Sequence, residues 1–297
     1  MDDFITLYKR RLHLQNATFL RIKHEEAIVA IVYKIISAND KIFILKICPR
    51  AQDYLREVYF LKHFSGLLPV PRLVEEVPPE QGIAGAILME YLAGTFLKKA
   101  DLTDKLAFEV GECLAQIHQN RVEKYGDLSQ PQDLSENPRI HFALKFEEGF
   151  SECSFNLPQE LLKKSRQYFD SHLDFLALVD GPCIIHRDFR PGNIMVLNGK
   201  LQGIIDWASG RASFAEEDFC PLELGEWSNY PNIKKSFLAG YGNVRPVPDY
   251  YPIIPLLQLS RSFATIGFTV KNDTWRSSNA QLYQNNRRFL EKFCNNL

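Results

Sequence analysis

The sequence lacks long apolar runs and an excess of charge of either sign. No stretch of the 297 residues reaches the roughly 18 consecutive apolar residues of a membrane-spanning helix, and the N-terminus carries charged residues from position 2 onward. The formal net charge is -1, with 35 Lys and Arg against 36 Asp and Glu. These absences predict a cytoplasmic protein that binds neither a membrane nor a nucleic acid. They carry no information about the oligomeric state.

Cysteine pairing is also missing from the pattern. The six cysteines contain no Cys-x-x-Cys motif and no ligand-like spacing to histidine: Cys48, Cys113, Cys153, Cys183, Cys220 and Cys294. This predicts reduced thiols instead of a disulfide framework or a zinc site. What the chain does have is 45% hydrophobic and 24% charged residues, the composition of an ordinary globular protein with a sizeable core.

Two kinds of pattern divide the chain near residue 92. The first ninety residues predict mainly strands, with a hairpin made of residues 27–35 and 41–47, a strand near 86–94 and one helix over 50–66. From about residue 95 the pattern predicts helices over 104–119, 159–178 and most of 216–297, with a loop-rich stretch from 119 to about 158 and an interruption at 243–252. We therefore predict an α+β fold with a small strand-rich lobe, residues 1–92, a larger helical lobe, residues 93–297, and a ligand in the cleft between them.

A two-residue turn at Asn198–Gly199 lies between two alternating apolar runs and predicts an antiparallel hairpin. Asp206 should lie diagonally from Asn193 across the two strands, within about 8 Å. Counted outward from the turn, the expected partners are Leu197 with Lys200, Met195 with Gln202, and Asn193 with Ile204.

An all-oxygen cluster follows from this hairpin. Asp188 stands in a loop five residues before Asn193 and can fold back toward Asn193 and Asp206. Two carboxylates and one carboxamide are hard ligands of the kind that hold Mg²⁺ together with substrate phosphates. The cluster therefore predicts a magnesium and nucleotide site.

A lysine on an apolar strand gives a second, independent signal. Alternation along residues 41–47 puts Lys46 on the same face as Ile42 and Ile44, where its charge needs a partner. Glu57 lies on the packed side of the helix that follows. We expect Lys46 and Glu57 to form an ion pair.

The spacing His186-x-Asp188-x4-Asn193, followed by Asp206-Trp207, resembles the catalytic signature of the aminoglycoside phosphotransferase and choline kinase superfamily. That resemblance implies a bilobal protein-kinase-like fold and an enzyme that uses ATP and Mg²⁺ to phosphorylate a small-molecule hydroxyl. It implies that Asp188 orients the acceptor hydroxyl and accepts its proton, while Asn193 and Asp206 hold two magnesium ions on the ATP phosphates.

The same resemblance gives expectations for residues outside the hairpin. Lys46, paired with Glu57, would reach the α- and β-phosphates. The segment 88–94 looks like the hinge, with Met89 at the gatekeeper position and with the Glu90 carbonyl and the Leu92 amide on adenine. His186 looks like a structural member of the catalytic loop, and Asp218 resembles the second, structural aspartate of the family.

Glycine is absent where a phosphate-covering loop is expected, in residues 21–33. Glycines let a backbone approach phosphate closely, whereas His24, Glu25 and Glu26 do not. Two interpretations therefore stay open: an active small-molecule kinase, and a catalytically silent nucleotide-binding pseudokinase. A protein kinase is disfavoured because no segment ending in Ala-Pro-Glu follows Asp206.

An excess of acidic residues follows the catalytic hairpin. Between residues 211 and 230, Arg211 is outnumbered by five carboxylates: Glu216, Glu217, Asp218, Glu223 and Glu226. If this region faces the acceptor, its field favours a cationic alcohol such as an aminoglycoside or choline, with Glu223 and Glu226 as acceptor residues. The alternative is an acidic helix start that complements the helix dipole.

Overall fold

The computed structural model describes residues 2–22, 30–224 and 229–297. A five-stranded antiparallel sheet forms in the order β1-β2-β3-β5-β4, from the strands β1 (Thr18–Ile22), β2 (Ile31–Ile36), β3 (Ile42–Cys48), β4 (Leu73–Val77) and β5 (Gly85–Glu90). The predicted hairpin is the β2–β3 pair, in which Ile36 lies opposite Ile42. Residues 23–29, including His24, Glu25 and Glu26, lie outside the described part of the chain.

Helix α1 (Asp2–Arg11) covers one face of this sheet. Tyr8 and Leu12 are buried in one apolar cluster with Leu45 and Ile47, and the Tyr8 hydroxyl donates to the Ala84 carbonyl at 2.9 Å. The sequence pattern does not predict α1, since a ten-residue, highly charged helix gains its stability from packing on the sheet.

Helix α2 (Ala51–Phe64) lies on the other side of the sheet, where residues 50–66 predict a helix. Its buried aromatic residues reach the helical part of the chain: the ring centroids of Phe60 and Phe64 lie 5.6 and 4.8 Å from that of Trp207. Trp207 is fully buried, so this side chain packs in the core and is not exposed to a ligand. The helix is therefore anchored at its C-terminal end to the segment that carries Asp206.

The helical part of the chain is built on close helix pairs. Two of these helices touch through their backbones at glycine positions. A Cβ added at Gly111 would lie 2.0 Å from the Phe237 carbonyl oxygen, and a Cβ added at Gly240 would lie 2.0 Å from the Phe108 carbonyl oxygen. These glycines lie in α3 and α7 of the set α3 (Asp104–His118), α4 (Pro138–Cys153), α5 (Gln159–His172), α6 (Cys220–Leu224), α7 (Pro231–Val244), α8 (Ile254–Lys271) and α9 (Ala280–Asn295).

The expectation of loop up to about residue 158 is wrong, because α4 occupies residues 138–153. The Asn137 side chain accepts from the Arg139 backbone N–H at 3.0 Å, and Pro138 stands in the first turn. Phe142 and Phe146 bury one side of the helix. The cap and the proline are readable in the sequence, whereas the apolar periodicity of α4 is weak.

Two small antiparallel sheets complete the fold: β6-β8-β9 and β7-β10, from β6 (Thr95–Phe96), β7 (Cys183–Ile185), β8 (Ile194–Leu197), β9 (Lys200–Ile204) and β10 (Arg211–Ser213). The β8–β9 hairpin turns at Asn198–Gly199 as predicted, with Leu197 opposite Lys200.

The predicted register farther from this turn is wrong. Met195 lies opposite Gly203, and Ile194 instead of Asn193 lies opposite Ile204. Gln202 is the extra residue of a β-bulge, and an extra residue shifts every later pair by one position. No local sequence pattern predicts that Gln202 is unpaired.

The α+β class is confirmed, and the lobe boundary at residue 92 stays a prediction. All six cysteines are buried and unpaired, as expected. None of the helices in the described ranges combines the length and the hydropathy that crossing a membrane requires.

Candidate active site

A cavity of about 750 Å³ lies between the five-stranded sheet and the helical part of the chain. Its wall contains seven of the nine residues that the sequence singled out for a site: Lys46, Glu57, Glu90, Leu92, Asp188, Asn193 and Asp206. Residues more than 100 positions apart therefore meet in one cleft, as predicted. Their chemical roles stay predictions.

Lys46 is the charged centre of the inner wall. The side chain is 9% exposed, and Nζ donates to Glu57 Oε2 at 2.8 Å and to Asp206 Oδ1 at 2.7 Å. Burial alone would lower the pKa of Lys46, but the carboxylates of Asp206 and Glu57 outweigh it and hold the pKa above its ordinary value. Lys46 thus stays cationic, and its attraction lowers the pKa of Asp206.

Asp188 and Asn193 are held together at the mouth of the β8–β9 hairpin. Asn193 Nδ2 donates to both Asp188 Oδ2 and the Asp188 carbonyl oxygen, each at 2.8 Å. Arg190 Nε also donates to Asp188 Oδ2, at 3.0 Å. Because these donors converge on Oδ2, Asp188 Oδ1 is the oxygen left to meet a hydroxyl.

The residues expected to hold magnesium fit that ion. Both hydrogen bonds that Asn193 donates use Nδ2, so Oδ1 is the atom that can ligate, and Asp206 has Oδ2 in addition to the Oδ1 that Lys46 binds. The described residues contain no group of three or more His, Cys, Asp or Glu side chains that could hold a metal ion by themselves. Two protein oxygens suit Mg²⁺, which completes its shell with phosphate oxygens and water.

Asp218 fixes the backbone of the catalytic loop. Its carboxylate is fully buried and accepts from the backbone N–H groups of His186 at 2.8 Å and Arg187 at 2.6 Å. Arg187 has a φ of 68°, a conformation that costs free energy and that these bonds stabilise. His118 Nε2 lies 3.1 Å from Asp218 Oδ2, the oxygen that also accepts from the His186 N–H, and burial lowers the pKa of His118.

His186 joins the catalytic loop to the strand that ends before Asp206. Its Nε2 lies 3.0 Å from the Ile205 carbonyl oxygen, and the Asp188 backbone N–H donates to its Nδ1 at 3.3 Å. The ring therefore links the backbones on either side of the cluster. The structural role that the resemblance implies for His186 stays a prediction.

The N-terminal half of α2 is tied to the helical part by polar contacts that the sequence did not suggest. Arg56 Nε donates to Asp127 Oδ2 at 2.6 Å, Gln52 also donates to Asp127, and Gln130 donates to Gln52 at 2.7 Å. We call these four residues the α2 clasp. Since Glu57 lies on the same helix, the clasp and Trp207 together fix the position of the partner of Lys46.

The outer part of the cavity is apolar and lies against the expected hinge. Val32, Ile44 and Met89 line it from the sheet, and Met195 and Ile205 line it from the hairpin. Glu90 and Leu92 lie where the chain leaves β5. Apolar side chains beside the backbone of the expected hinge suit a nucleobase.

Among the described residues, the acidic segment supplies no carboxylate to this cavity. Glu223 binds Lys234 Nζ at 2.5 Å and the Tyr250 hydroxyl at 2.9 Å, and it is not part of the cavity wall. Glu216 accepts from the Asp180 backbone N–H at 2.9 Å, and Glu217 pairs with Arg187. Glu226 lies outside the described residues. Of the five carboxylates in the charge count that favoured a cationic acceptor, the four that the structure describes therefore have structural partners.

Arg261 is a site residue that sequence reasoning missed. It stands on α8, and its Nη2 lies 3.6 Å from Asp188 Oδ1 across the cavity. Arg261 is 73 positions from Asp188 along the chain and follows no local motif. Only the packing of α8 against the catalytic loop brings the two residues together.

A model of the phosphotransferase enzyme family, APH, matches residues 30–249 of this chain. Among curated proteins, a segment of 77 residues is 32% identical to Cyclin-dependent kinase 4 of Xenopus laevis. That segment covers 26% of this chain and 23% of the relative, so the chain matches about a quarter of that protein's length.

Solved aminoglycoside phosphotransferases share this fold. A thermostable mutant of APH(4)-Ia, in ternary complex with AMP-PNP and hygromycin B, has a TM-score of 0.68 at 12% identity, covering 94% of this chain and 92% of that one. A GDP complex of an aminoglycoside 2'-phosphotransferase-IIIa mutant has a TM-score of 0.68 at 17% identity over 99% and 96%. A gentamicin complex of APH(2")-IIa has a TM-score of 0.68 at 15% identity over 97% and 95%. The predicted bilobal, protein-kinase-like fold is confirmed.

Proposed function

We infer the function from one premise: the chain belongs to the APH phosphotransferase enzyme family and is a phosphotransferase with a kinase-like fold. We propose that it transfers the γ-phosphoryl group of ATP, in the presence of Mg²⁺, to a hydroxyl group of a small molecule. The observation that carries the proposal is the meeting of Lys46, Asp188, Asn193 and Asp206 in the wall of one cavity.

The donor end of the cavity supports ATP as the phosphoryl donor. Adenine would lie in the apolar outer part of the cavity beside Glu90 and Leu92, and the phosphates would extend toward Lys46. AMP-PNP and GDP are bound in structures that share the fold, which supports a nucleotide in this position. Asn193 and Asp206 would hold Mg²⁺, which neutralises phosphate charge when bound.

Asp188 would act on the acceptor. Its Oδ1 would receive the hydroxyl proton as the hydroxyl oxygen bonds to the γ-phosphorus, and the bond from that phosphorus to the bridging oxygen of ADP breaks. Lys46 would stabilise the phosphates that leave with ADP. Direct transfer of this kind needs positioning and charge neutralisation and requires no covalent intermediate on the enzyme.

The acceptor is proposed here as a small hydroxyl compound. Hygromycin B and gentamicin are bound in structures that share the fold, which supports an alcohol of small-molecule size. The cationic acceptor predicted from Glu223 and Glu226 is not part of this proposal, because Glu223 is paired with Lys234 and Tyr250 away from the cavity.

Replacement of Asp188 tests the proposal. Asp188→Asn should lower kcat by at least ~10²-fold and leave the affinity for ATP within a few-fold, because the carboxylate acts on the hydroxyl in the transition state. ADP release during an acceptor screen measures kcat, and calorimetry measures ATP binding. Asp170→Asn, the same change at an exposed position on α5, is the control.

Near-normal turnover by Asp188→Asn would remove Asp188 from the chemistry. Wild-type protein that binds nucleotide but releases no ADP, with any acceptor or with water, would instead identify a nucleotide-binding protein without transfer activity. The glycine-free segment of residues 21–33 makes this second outcome worth measuring.

A further inference from the structure

Two arginine side chains border the end of the cavity near Asp188. Two guanidinium groups lie next to the Asp188 carboxylate: Arg190 Nε is 3.0 Å from Oδ2 and Arg261 Nη2 is 3.6 Å from Oδ1. Of the other carboxylates in the described cavity wall, Asp53 and Glu57 belong to α2, Glu90 to the end of β5, and Asp206 to the Lys46 pair. Beside Asp188, the described residues therefore place two guanidinium groups next to one carboxylate.

Arg261 is available to bind a ligand. Its side chain is 39% exposed, and 3.6 Å is longer than a hydrogen bond, so the contact with Asp188 is an ion pair without a directed N–H bond. Among the described residues, no oxygen accepts a hydrogen bond from its guanidinium group. A guanidinium group has five N–H donors arranged to match a carboxylate or a phosphate.

The position of Arg261 makes it sensitive to the substituents of the acceptor. A hydroxyl within about 2.6–3.2 Å of Asp188 is in reach of proton transfer. Groups attached one to three bonds from that hydroxyl then meet Arg261, with Thr265 one turn along α8 and Asn279 at the start of α9 as neutral polar neighbours. A cationic substituent would face a guanidinium group, whereas an anionic one would gain charge-assisted hydrogen bonds.

We propose that the acceptor alcohol carries a carboxylate or a phosphate within a few bonds of its hydroxyl, and that Arg261 binds this anionic group. The proposal rests on the phosphoryl transfer proposed above. It differs from the expectation of a cationic acceptor. Charges in the cavity wall act on a ligand at short range, whereas the described carboxylates of the acidic segment already have partners outside the cavity wall.

The first test compares acceptors that differ in one group. Glycerol, glycerate and 3-amino-1,2-propanediol share a three-carbon scaffold and are neutral, anionic and cationic. We would measure kcat/KM from ADP release for this series, and then for a wider panel of neutral sugars, hydroxy acids, sugar phosphates and amino alcohols. The highest kcat/KM is expected for an anionic alcohol; a neutral or cationic best acceptor overturns the proposal and leaves phosphoryl transfer intact.

The second test removes the guanidinium charge. Arg261→Gln should raise the KM of the best anionic acceptor at least about tenfold, with kcat and the KM of ATP within about threefold, the pattern of lost acceptor binding. Arg288→Gln, the same change at an exposed position of α9 outside the cavity wall, should change none of these values. A rise in the KM of ATP instead would place Arg261 on the nucleotide and overturn the proposal.

A binding measurement keeps the proposal testable if no alcohol in the panel is phosphorylated. Malonate, a dicarboxylate without a hydroxyl, should raise the melting temperature of the ADP-loaded wild type. It should bind Arg261→Gln at least about tenfold more weakly, as titration calorimetry would show, because the charge-assisted hydrogen bonds are lost. Equal binding by the two proteins, or none by the wild type, would refute an anion site at Arg261, whereas a failure of ADP release alone counts against the proposed function.

Discussion

Replacement of Lys46 by methionine should destabilise the protein through the charge that it leaves behind. Glu57 is 1% exposed and Lys46 Nζ is its partner at 2.8 Å, so Lys46→Met leaves a buried carboxylate uncompensated. Breaking a buried pair in this way costs about 3–5 kcal/mol. Asp206 also loses Lys46 as a partner in this variant, but its side chain is 44% exposed, so water can solvate its charge.

The double variant Lys46→Met/Glu57→Gln should be more stable than the single variant. A neutral amide loses about 1–3 kcal/mol when it is buried without a partner, less than an uncompensated charge. We therefore expect the double variant to regain about 2 kcal/mol at pH 8. Nucleotide binding should be weakened in both variants, because both lack the lysine.

The difference between the single and the double variant should depend on pH. Burial already raises the pKa of Glu57 and Lys46 opposes this effect, so removal of Lys46 raises that pKa further. A carboxyl group with a raised folded-state pKa takes up a proton on folding, and its cost falls as pH falls toward its unfolded value. The two variants should accordingly approach each other at pH 5.

Urea unfolding, followed by tryptophan fluorescence at pH 5, 6.5 and 8, would measure these differences. Lys41→Met, an exposed position one residue before β3, is the control and should shift stability by no more than about 0.5 kcal/mol. A deficit for Lys46→Met that does not change with pH, together with no recovery in the double variant, would refute the buried-charge explanation.

Three further changes probe other parts of the molecule. Asp206→Ala should abolish the gain in ATP affinity that Mg²⁺ provides, because the metal loses a carboxylate; calorimetry with and without Mg²⁺ measures this, and an unchanged gain would exclude Asp206 as a ligand. Burial raises the pKa of Glu216 from 4.5 to about 7, so the free energy of unfolding of the wild type should fall as pH rises through that window. Glu216→Gln should remove up to about 3 kcal/mol of this fall, which urea unfolding at pH 4.5 and 7.5 would measure. Gly111→Ala should destabilise the protein by about 2 kcal/mol or more in thermal unfolding, because its Cβ would meet the Phe237 carbonyl oxygen at 2.0 Å, and an unshifted melting temperature would show that α3 and α7 separate easily.

The centre of the site could be predicted because its residues follow periodic patterns. Strand alternation places Lys46 on the cavity face, and the Asn198–Gly199 turn sets the hairpin that holds Asn193 near Asp206. These patterns are local, so one sequence contains them. The bulge at Gln202 was missed since a bulge reflects packing on both sides of a strand, which local patterns do not record.

Features that depend on contacts between distant segments were not predictable. The α2 clasp joins Gln52 and Arg56 to Asp127, and Arg261 reaches Asp188 only because α8 packs beside the catalytic loop. The acidic segment also shows that local sequence patterns do not report contacts between distant residues. A count of charges along the chain cannot reveal that Glu223 is occupied by Lys234 and Tyr250.

The stretch between Asp206 and Asp218 leaves little chain to move. It contains a single turn at Trp207–Ser209, the strand β10 paired with β7, and a turn over Ala215–Phe219, and Ala212 and Phe214 are buried. Phosphorylation-controlled kinases switch on and off by ordering or melting a long loop at a comparable place. A stretch that is already paired and buried offers no such loop, so we expect no switch of that kind between Asp206 and Asp218.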